Sequence, residues 1–272
     1  MMSQLNVDKV TVLGAGKMGN TLIHAMRQGG LAADKIVATG RREEPLGRLA
    51  EREGVAISRD NRAAVAGAEL VLLCVKPQVV AEVLDEIGGA MSDQQVLVSI
   101  AAGATTGLLE DHLPDQVPVV RAMPNTPSLI GAGMTALCGG RWASDSQIET
   151  ARRVFAGMGR TMVLDERYFD AVTGLSASGP AFVYIIIEAL AEGGVKAGLP
   201  RNVATELAAQ ACLGASRMVL DTKAHPALLK DDVTTPAGCT MDGILKLEEG
   251  GLRVTLIKAV IEATRRAGEL VD

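Results

Sequence analysis

The chain has 272 residues, of which 48% are apolar, 22% are charged and only 2% are aromatic. This mixture is typical of one large or two modest globular domains with an aliphatic core, and it excludes a disordered or collagen-like chain. The formal net charge of −5, the lack of a Lys/Arg-rich stripe and the few aromatic side chains argue against nucleic-acid binding.

Cysteine and histidine spacing argues against disulfides and against a transition-metal site. The 4 cysteines form no CxxC pair, and the 3 histidines form no pair at helical spacing. Residues 1–9 are polar and lack the apolar core of a signal peptide. The longest uncharged run, residues 171–187, is too short for a membrane span and is interrupted by Pro180. We therefore expect reduced thiols, no metal, no membrane segment and a cytoplasmic location.

Short apolar runs alternate with amphipathic helical patterns through the first 165 residues. The run at residues 70–75 is apolar throughout and is followed by Lys76-Pro77, as in a strand that is buried on both faces. This alternation predicts an α/β fold with a parallel, doubly wound sheet. We predict strands at residues 10–13, 36–39, 55–57, 70–75, 96–100, 117–122 and 134–137, and helices at residues 18–28, 43–53, 79–87 and 144–158.

The pattern changes after Asp165, because strand-like runs stop and helical patterns separated by Gly/Pro turns follow. We expect a dinucleotide-binding domain at residues 1–165 and an all-helical domain at residues 166–272. The predicted helices of the second domain cover residues 169–193, 200–220, 226–230, 241–249 and 252–269.

The segment at residues 171–187 is apolar on nearly all sides, unlike a helix on the surface of a monomer. It is either the central helix of its own domain or is buried against a second chain. A domain of about a hundred residues has limited capacity to bury such a helix by itself. We therefore predict a homodimer formed through the helical domain.

A glycine fingerprint follows the first predicted strand and opens the first helix. It consists of Gly14, Ala15, Gly16, Lys17, Met18 and Gly19. In this pattern the first glycine allows a tight turn, the second lets the backbone approach a pyrophosphate, and the third allows close packing of helix on strand. The helix N-terminus offers free N–H groups to phosphate. The motif predicts a dinucleotide site in a Rossmann-type domain.

The end of the second predicted strand favours NADPH over NADH. NAD-binding folds place an acidic residue there, whereas this chain has Thr39, Gly40, Arg41 and Arg42. A hydroxyl and two guanidinium groups suit a 2′-phosphate. The alternative is a solvated helix start whose arginines are balanced by Glu43 and Glu44, and this alternative leaves NADH as the cofactor.

Seven motifs occur together in a fixed order along the chain. They are residues 14–19 (GAGKMG), 74–77 (CVKP), 99–103 (SIAAG), 121–127 (RAMPNTP), 170–180 (DAVTGLSASGP), 194–200 (GVKAGLP) and 225–240 (HPALLKDDVTTPAGCT). With these motifs the chain resembles pyrroline-5-carboxylate reductases along essentially its whole length. The resemblance implies an NAD(P)H-dependent enzyme that reduces (S)-1-pyrroline-5-carboxylate to L-proline, with a Rossmann domain and a helical dimerisation domain that in many members builds decamers.

The resemblance also implies roles for individual residues. Around the cofactor it implicates Asn61, Cys74, Val75, Lys76, Pro77, Ala101 and Gly103. Around the substrate it implicates Glu166, Thr235, Gly238, Cys239 and Thr240. The loop before Thr240 would bind the substrate carboxylate through backbone N–H groups, and the Thr240 hydroxyl would hydrogen-bond the ring nitrogen.

Several positions depart from the usual pattern of the family. Ala177 and Phe182 replace a glycine and a tyrosine, and Ala237 and Cys239 vary the C-terminal loop. An alanine where glycine is usual shifts the loop if the position requires a positive φ.

Two other interpretations of the chain stay open at this point. One is a reductase of another small imine or keto acid, with Lys196 as the only candidate for a helix-borne acid in the first segment of the helical domain. The other is a cofactor-binding regulator without catalytic activity.

Overall fold

The computed structural model describes residues 7–270, so residues 1–6 of the polar N-terminal segment lie outside the described residues. One sheet has the strand order β3-β2-β1-β4-β5-β6-β7-β8. Its strands are β1 Val10–Leu13, β2 Ile36–Thr39, β3 Ala56–Ser58, β4 Leu70–Leu73, β5 Val96–Ser99, β6 Val119–Met123, β7 Gly133–Gly139 and β8 Gly159–Val163. Strands β1 to β6 are parallel, whereas β7 pairs antiparallel with β6 and β8 pairs parallel with β7. The doubly wound sheet is confirmed, but its last two strands reverse direction.

Helices cover both faces of this sheet. They are α1 Lys17–Gln28, α2 Glu43–Glu53, α3 Asn61–Val65, α4 Val80–Gly88, α5 Thr106–Asp111 and α6 Asp145–Ala156. One apolar cluster joins the sheet to α1, α2 and α6 through side chains such as Leu22, Leu49 and Phe155. A second cluster joins the opposite face to α3, α4 and α5 through Val65, Leu84 and Leu109. The two-sided cover explains why β4 is buried at every residue, as its continuous apolar run predicts.

The register of the central strands brings their carboxyl ends to one edge of the sheet. Leu13 of β1 lies opposite both Thr39 of β2 and Leu73 of β4, and Leu73 lies opposite Ser99 of β5. Residues that directly follow these strands therefore share one edge, where open α/β sheets bind their ligands.

The chain after β8 is helical, as expected. Its elements are α7 Phe169–Val172, a π-turn at Thr173–Ala177, α8 Gly179–Lys196, α9 Arg201–Thr222, α10 Pro226–Val233, α11 Cys239–Glu249 and α12 Leu252–Ala267. The single helix predicted at residues 169–193 is interrupted by the π-turn. Pro180 lies in the first turn of α8, where its missing N–H and its fixed φ favour a helix start.

The chain divides into two compact units. One runs through residue 177 and includes the chain from residue 263 onward, and the other is Ser178–Glu262. The predicted domain boundary at residue 165 marks where strands give way to helices, and this need not be the residue where one compact unit ends. The boundary therefore stays a prediction.

The unit Ser178–Glu262 buries very little apolar surface by itself. Its buried apolar side chains are Ala191, Ala204 and Ala208. Large apolar side chains are exposed along all of its helices: Val183, Tyr184, Ile185, Leu190, Leu207, Leu213, Met218, Leu228, Leu245, Val254, Ile257 and Ile261. Exposed apolar surface of this extent marks an interaction surface.

One helical stretch, Glu166–Lys196, is long and apolar enough to cross a membrane by length and composition alone. Its mean hydropathy over 18 residues is 1.5, and 11% of that window is buried. The uncharged run at residues 171–187, which is too short for a membrane span by itself, therefore lies within a helical stretch that extends beyond the helix predicted at residues 169–193. Core helices of other proteins pass the same test, and the π-turn and Pro180 divide this one.

Candidate active site

The glycine loop after β1 has the geometry that its three glycines predict. Gly14 has a φ of +90°, and a Cβ there would lie 2.9 Å from Val75 Cγ1. A Cβ at Gly19 would collide with the carbonyl oxygen of Gly14, whereas a Cβ at Gly16 would face open space with nothing within 4 Å. Gly14 thus allows the tight turn, and Gly19 allows the close packing of α1 on the loop. Gly16 leaves room for a ligand to approach the backbone.

Hydrogen bonds from two sides hold this loop in place. The N–H groups of Gly14 and Ala15 donate to the Thr39 carbonyl at 3.2 and 2.7 Å. The Asn20 amide nitrogen donates to the carbonyls of Ala15 and Gly16, both at 2.9 Å. Asn20 was not among the predicted site residues, although a short amide side chain four residues after Gly16, in the first turn of α1, is a signal for this role.

The start of α1 fits an anionic ligand. Gly16 is the N-cap and makes no side-chain cap, and the first turn contains no acidic residue. Lys17 is exposed and Met18 is half-buried. Backbone N–H groups without a side-chain cap, next to open space at Gly16, suit the pyrophosphate of a dinucleotide.

Thr39, at the end of β2, supports the glycine loop and is almost entirely buried. Its side chain is 1% exposed, and its hydroxyl donates to Asn61 Oδ1 at 2.7 Å. Asn61 in turn donates to Glu86 Oε2 at 2.8 Å. The Thr39 hydroxyl thus has a partner within the protein, and its expected contact with a 2′-phosphate stays a prediction.

Arg41 and Arg42 are exposed beyond β2 and form no ion pair among residues 7–270. Glu44, one of the two acids that the alternative interpretation places against these arginines, pairs instead with Arg48 at 2.6 Å. A shallow depression at the start of α2 is lined by Glu43, Leu46, Ile57, Ser58 and Arg59. The free positive charge of Arg41 and Arg42 is consistent with binding of a 2′-phosphate.

The segment after β4 borders the glycine loop through its backbone. The N–H of Cys74 donates to the Leu13 carbonyl at 2.8 Å, which fastens the end of β4 to the end of β1. The Lys76 side chain is exposed, and Pro77 begins a short 3-10 turn. Burial raises the pKa of the Cys74 thiol well above its ordinary value, which disfavours the thiolate form that a nucleophilic cysteine needs.

The loop after β5 combines small residues with tight geometry. Ala101 is buried and its N–H donates to Ser99 Oγ at 3.3 Å. Gly103 has a φ of +80°, a conformation that L-residues rarely adopt. Ala101 and Gly103 thus follow β5 at the same edge of the sheet as the glycine loop.

The Glu166 carboxylate accepts three hydrogen bonds from residues that are distant from it in the sequence. Oε1 accepts from the Thr106 N–H at 2.7 Å and from Arg121 Nη1 at 3.0 Å, and Oε2 accepts from Thr106 Oγ1 at 2.6 Å. Burial, and next the negative charge of Glu166, raises the pKa of the nearby Cys138 thiol to about 12. The carboxylate that was expected to contact substrate thus forms these hydrogen bonds within the compact unit that contains the sheet.

The C-terminal loop belongs to the helical unit. Gly238 is the N-cap of α11, whose start has no side-chain cap, and Thr240 lies half-buried in the first turn. A Cβ at Gly238 would lie 2.5 Å from Thr235 Oγ1, so the close approach of Thr235 requires a glycine. Ala237 has a φ of +58°. Thr235 and Cys239 are exposed beside the uncapped helix start.

Comparison with known proteins decides the family. The pyrroline-5-carboxylate reductase dimerisation model matches residues 166–270, and a model described as coenzyme F420-dependent NADP oxidoreductase matches residues 9–103. The pyrroline-5-carboxylate reductase of Methanosarcina acetivorans is 38% identical over 96% of this chain and 97% of its own length. The chain belongs to the pyrroline-5-carboxylate reductase family. The enzyme of Arabidopsis thaliana is 39% identical over 96% of this chain and 95% of its own.

Solved structures of the family have the same fold along the whole chain. The pyrroline-5-carboxylate reductase of Coxiella burnetii gives a TM-score of 0.91 at 34% identity and covers 98% of this chain and 100% of that one. The Plasmodium falciparum enzyme, solved with NADP bound, gives 0.88 at 26% identity over 99% and 100%. Membership in this family confirms the expected resemblance, the Rossmann-type domain and a nicotinamide dinucleotide as cofactor.

The structure gathers the predicted cofactor residues and leaves the substrate residues in two groups. The glycine loop, Thr39, Asn61, Cys74–Pro77 and the β5 loop share one edge of the sheet. Glu166 belongs to that same unit, whereas residues 235–240 belong to the helical unit. The roles of these residues stay predictions.

Proposed function

We propose that this protein reduces (S)-1-pyrroline-5-carboxylate to L-proline with NADPH. Family membership over nearly the full length of the chain carries the proposal. The uncapped glycine loop, together with Arg41 and Arg42, supports the choice of a phosphorylated dinucleotide.

The sheet edge supplies the residues that hold the cofactor. The N–H groups at residues 16–18 bind the pyrophosphate, and Arg41 and Arg42 bind the 2′-phosphate. Asn61 lies on the adenosine side, and the backbone of residues 74–77 and the small residues Ala101 and Gly103 border the nicotinamide. When bound, NADPH supplies a hydride to the imine carbon.

The loop at the start of α11 supplies the substrate site. The N–H groups of Gly238, Cys239 and Thr240 lie at an uncapped helix start and bind the carboxylate without a formal positive charge. The Thr240 hydroxyl accepts a hydrogen bond from the protonated imine nitrogen and donates to the amine of the product. Thr235 flanks this loop. Because a protonated imine is already electrophilic, these residues act mainly by positioning.

The helical unit supplies the contact between subunits. A homodimer covers the apolar side chains that α8, α9, α11 and α12 expose in the single chain. We further propose that five dimers assemble into a decamer, that neither nucleic acid nor membrane is a partner, and that the protein is cytoplasmic.

A spectrophotometric assay tests the activity. Adding pyrroline-5-carboxylate to the protein and NADPH should consume the reduced cofactor, and NADH should be used less efficiently. A panel of other cyclic imines and small keto acids in the same assay tests the alternative reductase. Binding of NADPH without oxidation in the presence of every substrate would instead indicate a regulator.

A further inference from the structure

Glu166 connects two segments that are far apart in the sequence. It begins the short 3-10 turn Glu166–Tyr168 after β8, and it accepts both the backbone N–H and the hydroxyl of Thr106. Thr106 is the first residue of α5. A carboxylate that accepts two hydrogen bonds from one residue fixes both the position and the orientation of that residue.

Arg121 on β6 makes this arrangement sensitive to the charge of Glu166. The Arg121 side chain is 2% exposed, and its Nη1 donates to Glu166 at 3.0 Å. Its Nε and Nη2 have no hydrogen-bond partner among residues 7–270, and its guanidinium lies 4.7 Å from the centroid of the Phe169 ring. Glu166 is therefore the counter-ion of a buried cation, and removing its charge leaves that cation without compensation.

The loop at residues 100–105 lies between the two fixed points of this arrangement. Its start is tied to β5, because the Ala101 N–H donates to Ser99 Oγ. Its end is tied to Glu166 through Thr106. Between them Ala102 packs against the cluster around Phe169, and Gly103 adopts a positive φ. Both ends and the middle of the loop are thus held in place.

We propose that Glu166 is a positioning residue that acts through Thr106 to hold the loop at residues 100–105 in the shape that receives the nicotinamide end of the cofactor. The inference rests on the function proposed above. It differs from the role that the family resemblance implies, because the carboxylate serves the loop and does not itself bind the substrate.

Substitution of Thr106 tests the proposal without altering any charge. Thr106→Val removes one donor to Glu166 and keeps the shape of a buried side chain, whereas Thr106→Ser keeps the donor. Thr106→Val should weaken NADPH binding about tenfold, measured by cofactor fluorescence without substrate, and should lower kcat by a similar factor. The KM for the imine should stay close to that of the unmodified enzyme. Thr106→Ser should keep all three values close to those of the unmodified enzyme.

Amide hydrogen exchange gives a measurement that does not depend on activity. The amides of residues 101–106 should exchange faster in both Thr106→Val and Glu166→Gln than in the unmodified protein. Glu149→Gln is the matched control, because Glu149 pairs with Arg152 and Arg153 on the exposed face of α6. That control should change neither the exchange nor the affinity for NADPH.

Two outcomes separate this proposal from its alternatives. If Glu166→Gln raises the KM for the imine while Thr106→Val leaves exchange and NADPH affinity unchanged, Glu166 contacts the substrate and the positioning role is overturned. If the unmodified protein does not oxidise NADPH with the imine, the proposed function fails. The exchange and affinity measurements then still decide whether Glu166 holds the loop.

Discussion

Replacing Ala237 with glycine should stabilise the helical unit. Ala237 has a φ of +58°, a left-handed conformation that costs an L-residue about 1–2 kcal/mol. Glycine removes that cost, but it gives the unfolded chain additional freedom worth about 0.4–1 kcal/mol. The difference predicts a net stabilisation of about 0.5–1 kcal/mol, or about 1–3 °C in Tm for a chain of this size.

Thermal unfolding and hydrogen exchange of the loop measure this effect. Ala227→Gly is the matched control, because Ala227 is an exposed alanine with helical backbone in the first turn of α10 of the same unit, where glycine should not stabilise the protein. Because the loop already has the conformation that glycine prefers, Ala237→Gly should leave kcat/KM close to that of the unmodified enzyme. A lower Tm for Ala237→Gly, comparable to that of Ala227→Gly, would refute the assignment of strain to this residue.

Three further predictions concern the active site. Thr240→Ala should lower kcat about tenfold to a hundredfold, and an unchanged kcat in steady-state kinetics would remove Thr240 from the mechanism. Gly16→Val should fold with an unchanged Tm but should bind NADPH more weakly in a fluorescence titration. Gly14→Ala should lower the Tm, because Gly14 has a positive φ. Equal losses of Tm in the two variants would contradict these separate roles of the two glycines. Changing both Arg41 and Arg42 to alanine should raise the KM for NADPH about tenfold and leave that for NADH unchanged, and equal increases would contradict binding of a 2′-phosphate.

The N-terminal sheet was largely predictable from local patterns. Strands buried on both faces produce continuous apolar runs, and β1, β2, β4 and β5 were located within about two residues for that reason. Strand β8 was missed, because its five residues are half-buried or exposed and include no apolar run. The reversed direction of β7 and β8 was missed because side-chain alternation is the same in parallel and antiparallel strands.

The active site was predictable where one short segment forms it. The glycine loop combines the turn, the close approach and the helix start within six residues, so the spacing alone indicates its chemistry. The hydrogen bond from the Thr39 hydroxyl to Asn61 was not predictable, because the sequence does not indicate that a residue of a different segment is its partner. The double hydrogen bond between Glu166 and Thr106 spans sixty residues and leaves no local pattern.

The sequence by itself determined the alternation of strands and helices, the dinucleotide loop and the family, because each depends on residues that are close together in the chain or on motifs in a fixed order. Only the tertiary structure decided which carboxylates, hydroxyls and amides hydrogen-bond to one another across the fold. A hydrogen bond depends on distance in space, and folding brings Glu166 to Thr106 and Thr39 to Asn61 across chain separations at which the sequence carries no periodic signal.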